Sequence, residues 1–332
     1  MTYIEAVKDG FSMVHKNWQL LLIQLGMVVM SSVGFFIIVG IPLAVAFIIF
    51  GVDLTGFTSA KDILRTLKEP SDILSRYLGL VLIVFASLLL YLVTVAMLGI
   101  YVFGGCIGVL GRSLKDSFFK FSIHAFFVEA KRLFLRLLGF TCIIGITLIA
   151  AAFILGILGG SIAALVSFAQ SQDSTLAIFL GTFFYLILIL LSLVLILGIL
   201  SITLYGIASL SLKNTGPLKS IIESIHYLAG HPSAFWLYAI LFAGYILSSF
   251  LLILLSYSFI IIPVVGTILS FPYQLISYIF QTYLGLAIIA AVLTYYYSTE
   301  ICHRPDQVIE SPVFFHPVEE EATKQDTDAK EF

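Results

Sequence analysis

Between Pro232 and Thr299 the chain carries no Asp, Glu, Lys or Arg. A soluble domain cannot be built from such a stretch, because its solvent face would need charge. The run is instead made of Leu, Ile, Phe, Tyr, Ala, Gly and a few uncharged polar residues. A membrane helix needs about 20 apolar residues, so this single run can cross a bilayer twice. Four similar runs lie upstream. The resulting spans are Trp18–Phe50, Tyr77–Gly111, Leu133–Gln170, Thr175–Leu212, Ala234–Ile262 and Thr267–Thr299.

The whole chain agrees with this reading. Its 332 residues are 60% hydrophobic and 11% charged, where a soluble domain carries roughly 25% charged residues. Mean hydropathy is +1.10. The expected fold class is an all-α membrane protein, because in lipid each backbone polar group must be satisfied within its own segment. All six segments are longer than one crossing needs, which tilt or kinks can absorb. Gly40 and Pro42 are expected to kink or end the first helix. Gly156, Gly159 and Gly160 are expected to do the same in the third. The first apolar segment is too long for a signal peptide and reads as a retained span.

Orientation follows from the basic residues. Thirteen of the 17 Lys and Arg residues fall on one set of flanks: Lys8, Lys16, Arg112, Lys115, Lys120, Lys131, Arg132, Arg136, Lys213, Lys219, Arg304, Lys324 and Lys330. The other four, Lys61, Arg65, Lys68 and Arg76, share one loop. The positive-inside rule then puts both termini in the cytoplasm and makes the chain a multi-pass protein of the cell (inner or plasma) membrane. In the outward loop, a short amphipathic helix is expected around Ser59–Leu64, ending near Pro70.

The chain also repeats itself. Amphipathic stretches precede the odd-numbered spans, at Ile4–Trp18, Leu114–Leu133 and Leu218–Trp236. Each ends in a polar or basic break: His15-Lys16-Asn17, Lys131-Arg132 and His231-Pro232-Ser233. Ser-Ile-His recurs at Ser122–His124 and Ser224–His226. This predicts three units, about 1–111, 112–212 and 213–302, each a cytoplasmic interfacial helix followed by a helical hairpin. In the first, Ile4, Val7, Phe11 and Val14 recur at helical spacing, with Glu5, Lys8, Asp9 and Ser12 on other faces, so the helix is expected to lie flat at the inner headgroup level. Lys131, Arg132 and Arg136 are candidate contacts for anionic lipid headgroups. The plainer alternative is that they are ordinary snorkelling charges at span ends. Residues 303–332 change character, with three prolines and Glu319-Glu320-Glu321, and read as a disordered acidic cytoplasmic tail.

Little in the chain points to chemistry. No ionisable residue lies deep in a span, which counts against proton relays and ion-coupled transport. The six histidines fit no metal-binding spacing, and Cys106, Cys142 and Cys302 form no ligand or disulfide pattern. No catalytic pair, phosphate loop or cofactor motif is present, so no cofactor and no enzyme activity are expected. A net charge of −2 offers nothing to nucleic acid. The best polar feature is a stripe in the last span. Gln274, Ser277, Tyr278 and Gln281, with Gly285, follow i, i+3, i+4, i+7 and i+11 spacing and share one helix face. They either line a polar cavity or bond across a helix–helix interface, where Gly285 would permit close approach. Nearby, Pro263 and Pro272 bracket an apolar run that reads either as a re-entrant break or as a tight turn at the outer surface.

An amphipathic stretch from Phe11 to Trp18 feeding a long apolar span, repeated before later spans, resembles a group of uncharacterised prokaryotic six-helix membrane proteins. The membrane domain attached to some glycerophosphodiester phosphodiesterases is similar, as is the YciC-like group. The Ile-Pro-Val-Val-Gly turn at Ile262–Gly266 adds to the likeness. The resemblance covers the membrane region, implies the six-helix fold and transfers no catalytic residue. The expected function is that of a non-enzymatic membrane protein acting through lipids, a membrane-protein partner or a second copy of itself. The alternative is a transporter or permease component for an apolar or lipid-like substrate.

Overall fold

The computed structural model describes residues 2–55, 70–116, 118–260 and 263–302. Among the described residues all regular structure is helical. The helices are α1 (Tyr3–Lys16), α2 (Gln19–Phe35), α3 (Ile41–Thr55), α4 (Pro70–Lys115), α5 (Ile123–Gln172), α6 (Ser174–Leu212), α7 (Pro217–Gly230), α8 (Pro232–Ile260) and α9 (Pro263–Tyr296). A π-helical turn at Phe36–Gly40 joins α2 to α3, and another at Tyr297–Ile301 follows α9. Six helical stretches are long and apolar enough to cross a membrane: Gln19–Ile49, Leu78–Lys115, Ile123–Gln172, Ser174–Leu212, Pro232–Tyr257 and Pro272–Ile301. This is the build of a multi-pass membrane protein.

The helix ends have local causes. Thr2 and Glu5 form a capping box at the start of α1. The Ser122 hydroxyl accepts from the Ala125 N–H and so caps α5, and Asp173 does the same for α6 through the Thr175 N–H. Pro217 opens α7 at a position where its missing N–H costs nothing. After α6, Asn214 takes a left-handed backbone (φ 56°), a conformation that asparagine tolerates well.

Several expected breaks resolve differently. The predicted kink near Gly40 is the π-turn, where the helix changes hydrogen-bond register without stopping. The expected break at Lys131-Arg132 is absent, as α5 runs unbroken from Ile123 to Gln172 and carries Gly156, Gly159 and Gly160 inside it. Lys and Arg are good helix formers, and Arg132 is held by Glu129 one turn earlier. The amphipathic stretch of the second unit is therefore not a separate helix, since Leu114 and Lys115 end α4 and α5 begins at Ile123. Pro263 opens α9 and Pro272 sits inside it, so the proline-bracketed run is helical from Pro263 onward. Pro70 opens α4. The helix expected at Ser59–Leu64 and the tail 303–332 lie outside the described residues.

The buried core lies at one end of the molecule. There the end of α4 (Cys106, Ile107, Leu110), the start of α5 (Phe126, Leu133, Leu137, Phe140) and the end of α6 (Tyr205, Ala208, Leu210) meet α1, α7, the start of α8 and the end of α9. Cross-links fix this grouping. Asn17 Nδ2 donates to Ser113 Oγ (3.3 Å), Lys115 Nζ to the Leu212 carbonyl (2.7 Å) and Arg136 Nη1 to the Asn214 carbonyl (2.9 Å). One face of α1 packs into this core. Ala6, Gly10, Met13 and Val14 are buried, whereas Ile4 is 81% exposed. Tyr3 lies on Tyr295 and Phe11 on Tyr283, so α1 runs along the second half of α9.

Away from this end the helices meet mainly in pairs. Ser31 bonds Tyr91 (3.0 Å) between α2 and α4. Gly181 of α6 lies against Val166 of α5. Tyr273 of α9 donates to the Leu252 carbonyl of α8. Most large apolar side chains on these stretches are exposed. In water that would be ruinous, but lipid tails are as apolar as leucine, so exposure there costs nothing.

Candidate functional site

Two polar regions stand out against this background. The first is at the packed end and was largely invisible in the sequence. Glu129 is buried on α5, with its Oε2 2.6 Å from Arg132 Nη2 and its Oε1 3.8 Å from Arg112 Nη1. Gly108 of α4 makes room for it, because a Cβ there would sit 2.6 Å from the Glu129 Cβ. The Arg112 guanidinium also lies over the Phe119 ring, 5.3 Å from its centroid. A buried carboxylate thus ties the end of α4 to the start of α5.

Beside it, Lys213 Nζ is 3.2 Å from Glu300 Oε1 and 5.5 Å from the centre of the Tyr296 ring. Burial alone would lower the Lys213 pKa, but Tyr296 and Glu300 outweigh it and raise it above its ordinary value. Ser209 Oγ donates to Glu223 Oε2 (2.5 Å), Ser220 donates to the Gly206 carbonyl, and the Tyr227 hydroxyl is hydrogen-bonded to Thr299 Oγ1 (2.6 Å). Burial pushes the Tyr227 hydroxyl well above the usual tyrosine range, so it stays protonated and able to donate. These bonds fasten α7 to α6 and to the π-turn after α9. The groups are consumed by holding helices together, which is structural work.

Of the predicted headgroup contacts, Lys131 and Arg132 are exposed and Arg136 is half-buried. Arg132 is engaged by Glu129 and Arg136 by Asn214, through its carbonyl and Oδ1 (3.3 Å). Lys131 is the one of the three whose charge points outward with no described partner.

The second region is the predicted stripe. Gln274, Ser277, Tyr278 and Gln281 do share one face of α9. With Leu252, Ile253, Ser256 and Tyr273 they line an open groove of about 240 Å³ between α8 and α9. Gln274 is exposed and the other three are half-buried. The Ser277 hydroxyl is enclosed yet has no hydrogen-bond partner. Gly285 does not serve a close approach within the chain, since nothing lies within 4 Å of where its Cβ would be. The stripe thus borders a groove that is open at the surface. Further back in the chain, Gln24 donates to the Cys106 thiol (3.5 Å). No group of three metal-ligating side chains occurs among the described residues.

Comparison with protein-family models, with curated proteins and with solved structures finds no match.

Proposed function

We propose that this chain is a non-enzymatic protein of the cell membrane, with both termini cytoplasmic, that acts by holding lipids or partner proteins against its outer surfaces. The carrying observation is the distribution of packing. The polar groups of the packed end are spent on joining helices, while long apolar stretches of α4, α5, α6 and α8 stay exposed. The pairwise contacts Ser31–Tyr91, Val166–Gly181 and Tyr273–Leu252 support three hairpins, α2/α3 with α4, α5 with α6, and α8 with α9. In this reading α1 and α7 lie at the cytoplasmic interface, with Ile4 on α1 and Leu218 and Ile222 on α7 as exposed apolar residues facing acyl chains. The resemblance to the membrane domain of glycerophosphodiester phosphodiesterases fits the same picture, with lipid as the shared theme.

Lipid holding is tested by native mass spectrometry of the protein released from bilayers of mixed anionic and zwitterionic lipid. Preferential retention of anionic lipid is expected, and Lys131→Gln with Arg136→Gln reduces it. Retention that simply mirrors bulk lipid composition would remove the lipid half of the proposal.

A transporter or permease component for an apolar or lipid-like substrate is the second reading, favoured by the polar groove at Gln274–Gln281. Protein-dependent movement of a fluorescent phospholipid between leaflets of reconstituted liposomes would support it.

A further inference from the structure

The stripe on α9 poses a physical problem within the membrane reading. Gln274, Ser277, Tyr278 and Gln281 lie in the Pro272–Ile301 span. Their neighbours on the same helix, such as Ile276 (65% exposed) and Phe280 (44%), are apolar and turned outward. The stripe therefore opens onto lipid. A carboxamide or hydroxyl left in hydrocarbon without a partner is costly, and no hydrogen bond reaches these four side chains from the described residues. Gln274 is the clearest case, exposed and unpaired among the described residues. Something outside the chain must complete them.

We infer that a second copy of this chain completes them, through a two-fold contact of one α8–α9 face with its twin. The chemistry of the stripe favours that occupant over a different partner. A carboxamide carries both donors and acceptors, and Ser and Tyr hydroxyls do both as well. Such a surface is its own complement, which a two-fold contact requires because the same patch meets itself. Nothing on it carries a charge that would call for an oppositely charged partner. The shape agrees. Gly285 lies on the same face with open space above it, and small residues beside Gln and Ser are what lets membrane helices approach closely and bond across. The groove between α8 and α9 gives room for the facing side chains. The inference rests on the reading of the chain as a membrane protein that works through its outer surfaces, and it names the partner.

The test uses the full-length chain carrying Cys106→Ala, Cys142→Ala and Cys302→Ala, reconstituted in liposomes at low protein density. Gln274→Cys is added as the probe, with Phe153→Cys on the lipid-exposed part of α5 as the control. Oxidation is expected to give a covalent dimer through Cys at 274 and little at 153. Gln274→Leu with Gln281→Leu is expected to weaken self-association by about tenfold, read by stepwise photobleaching of labelled protein. Equal cross-linking at both positions, single-step bleaching of the parent protein, or cross-linking only to a different protein in native membranes would each overturn the dimer. Resistance to alkaline extraction separates the two levels. A protein that stays in the bilayer but is monomeric loses only the dimer, whereas one that washes off loses the membrane reading as well.

Discussion

Gly10 shows how much can hang on a single hydrogen. A Cβ at this position would lie 2.6 Å from the Ala291 nitrogen and 2.8 Å from its Cα. Both are backbone atoms of α9, so no rotamer change can relieve the clash. Gly10→Val is therefore expected to pry α1 from α9 at a cost of about 1–3 kcal/mol, the usual penalty of overpacking. Gly26→Val is the control, because nothing lies within 4 Å of its Cβ position. Melting of the two variants in one detergent checks this, and equal melting points would refute it. Lys213 carries a pH dependence of definite sign. Its pKa is raised in the folded protein above the ordinary value of 10.5. A raised base binds its proton more tightly when folded, so the stabilisation is complete below the unfolded pKa and is lost as pH rises through the folded one. Stability is thus expected to be flat in this contribution through neutral pH and to fall above about pH 10.5. In Lys213→Met that alkaline decline should shrink in an unfolding titration, and an unchanged decline would assign it to other groups.

At the scale of elements, the contrast lies between α5 and α7. Both begin in stretches that the repeat pattern placed at the cytoplasmic interface, yet α5 runs straight into its span while α7 is a separate helix. The difference is one residue type. His231-Pro232 can end a helix, since the residue before proline is pushed out of helical conformation, whereas Lys131-Arg132 only looks like a break by its charge. Because α7 is separate, it depends on side-chain bonds. Ser209 donates to Glu223 and Ser220 to the Gly206 carbonyl. Glu223→Leu removes the charged acceptor, and bonds to charged groups are worth roughly 1.5–3 kcal/mol. Amide exchange in α7 is expected to quicken about tenfold or more, with α1 unchanged. Equal exchange in α7 of parent and variant would show that apolar packing alone holds the helix.

At the scale of the molecule, the six spans were legible because hydropathy over 20-residue windows is a strong signal, and the structure returns the same six within shifted ends. The packed end was not legible. Glu129 read as one acid among bases, and its burial depends on Gly108 of another helix lying against it. Tyr205, Tyr227 and Tyr296 read as ordinary aromatic content of apolar runs, and only the fold brings their rings within 5.2, 4.8 and 6.4 Å of one another. The contact of α1 with α9 was not legible because Ala6 and Gly10 are weakly apolar. Their smallness selected the contact, and hydropathy does not measure smallness. Sidedness can now be tested against this geometry. The contacts Asn17–Ser113, Lys115–Leu212 and Lys213–Glu300 put four chain segments at one end, and most of the flanking cations named above accompany them. Ser171, at the α5–α6 turn, lies at the other end of both helices. In a cysteine-free background, Ser171→Cys should react with a membrane-impermeant maleimide added to intact cells, whereas Lys16→Cys should react only after permeabilisation. The reverse pattern would invert the protein in the membrane. It would also place the whole basic end outside, against the anionic-lipid logic that favours cations on the cytoplasmic leaflet.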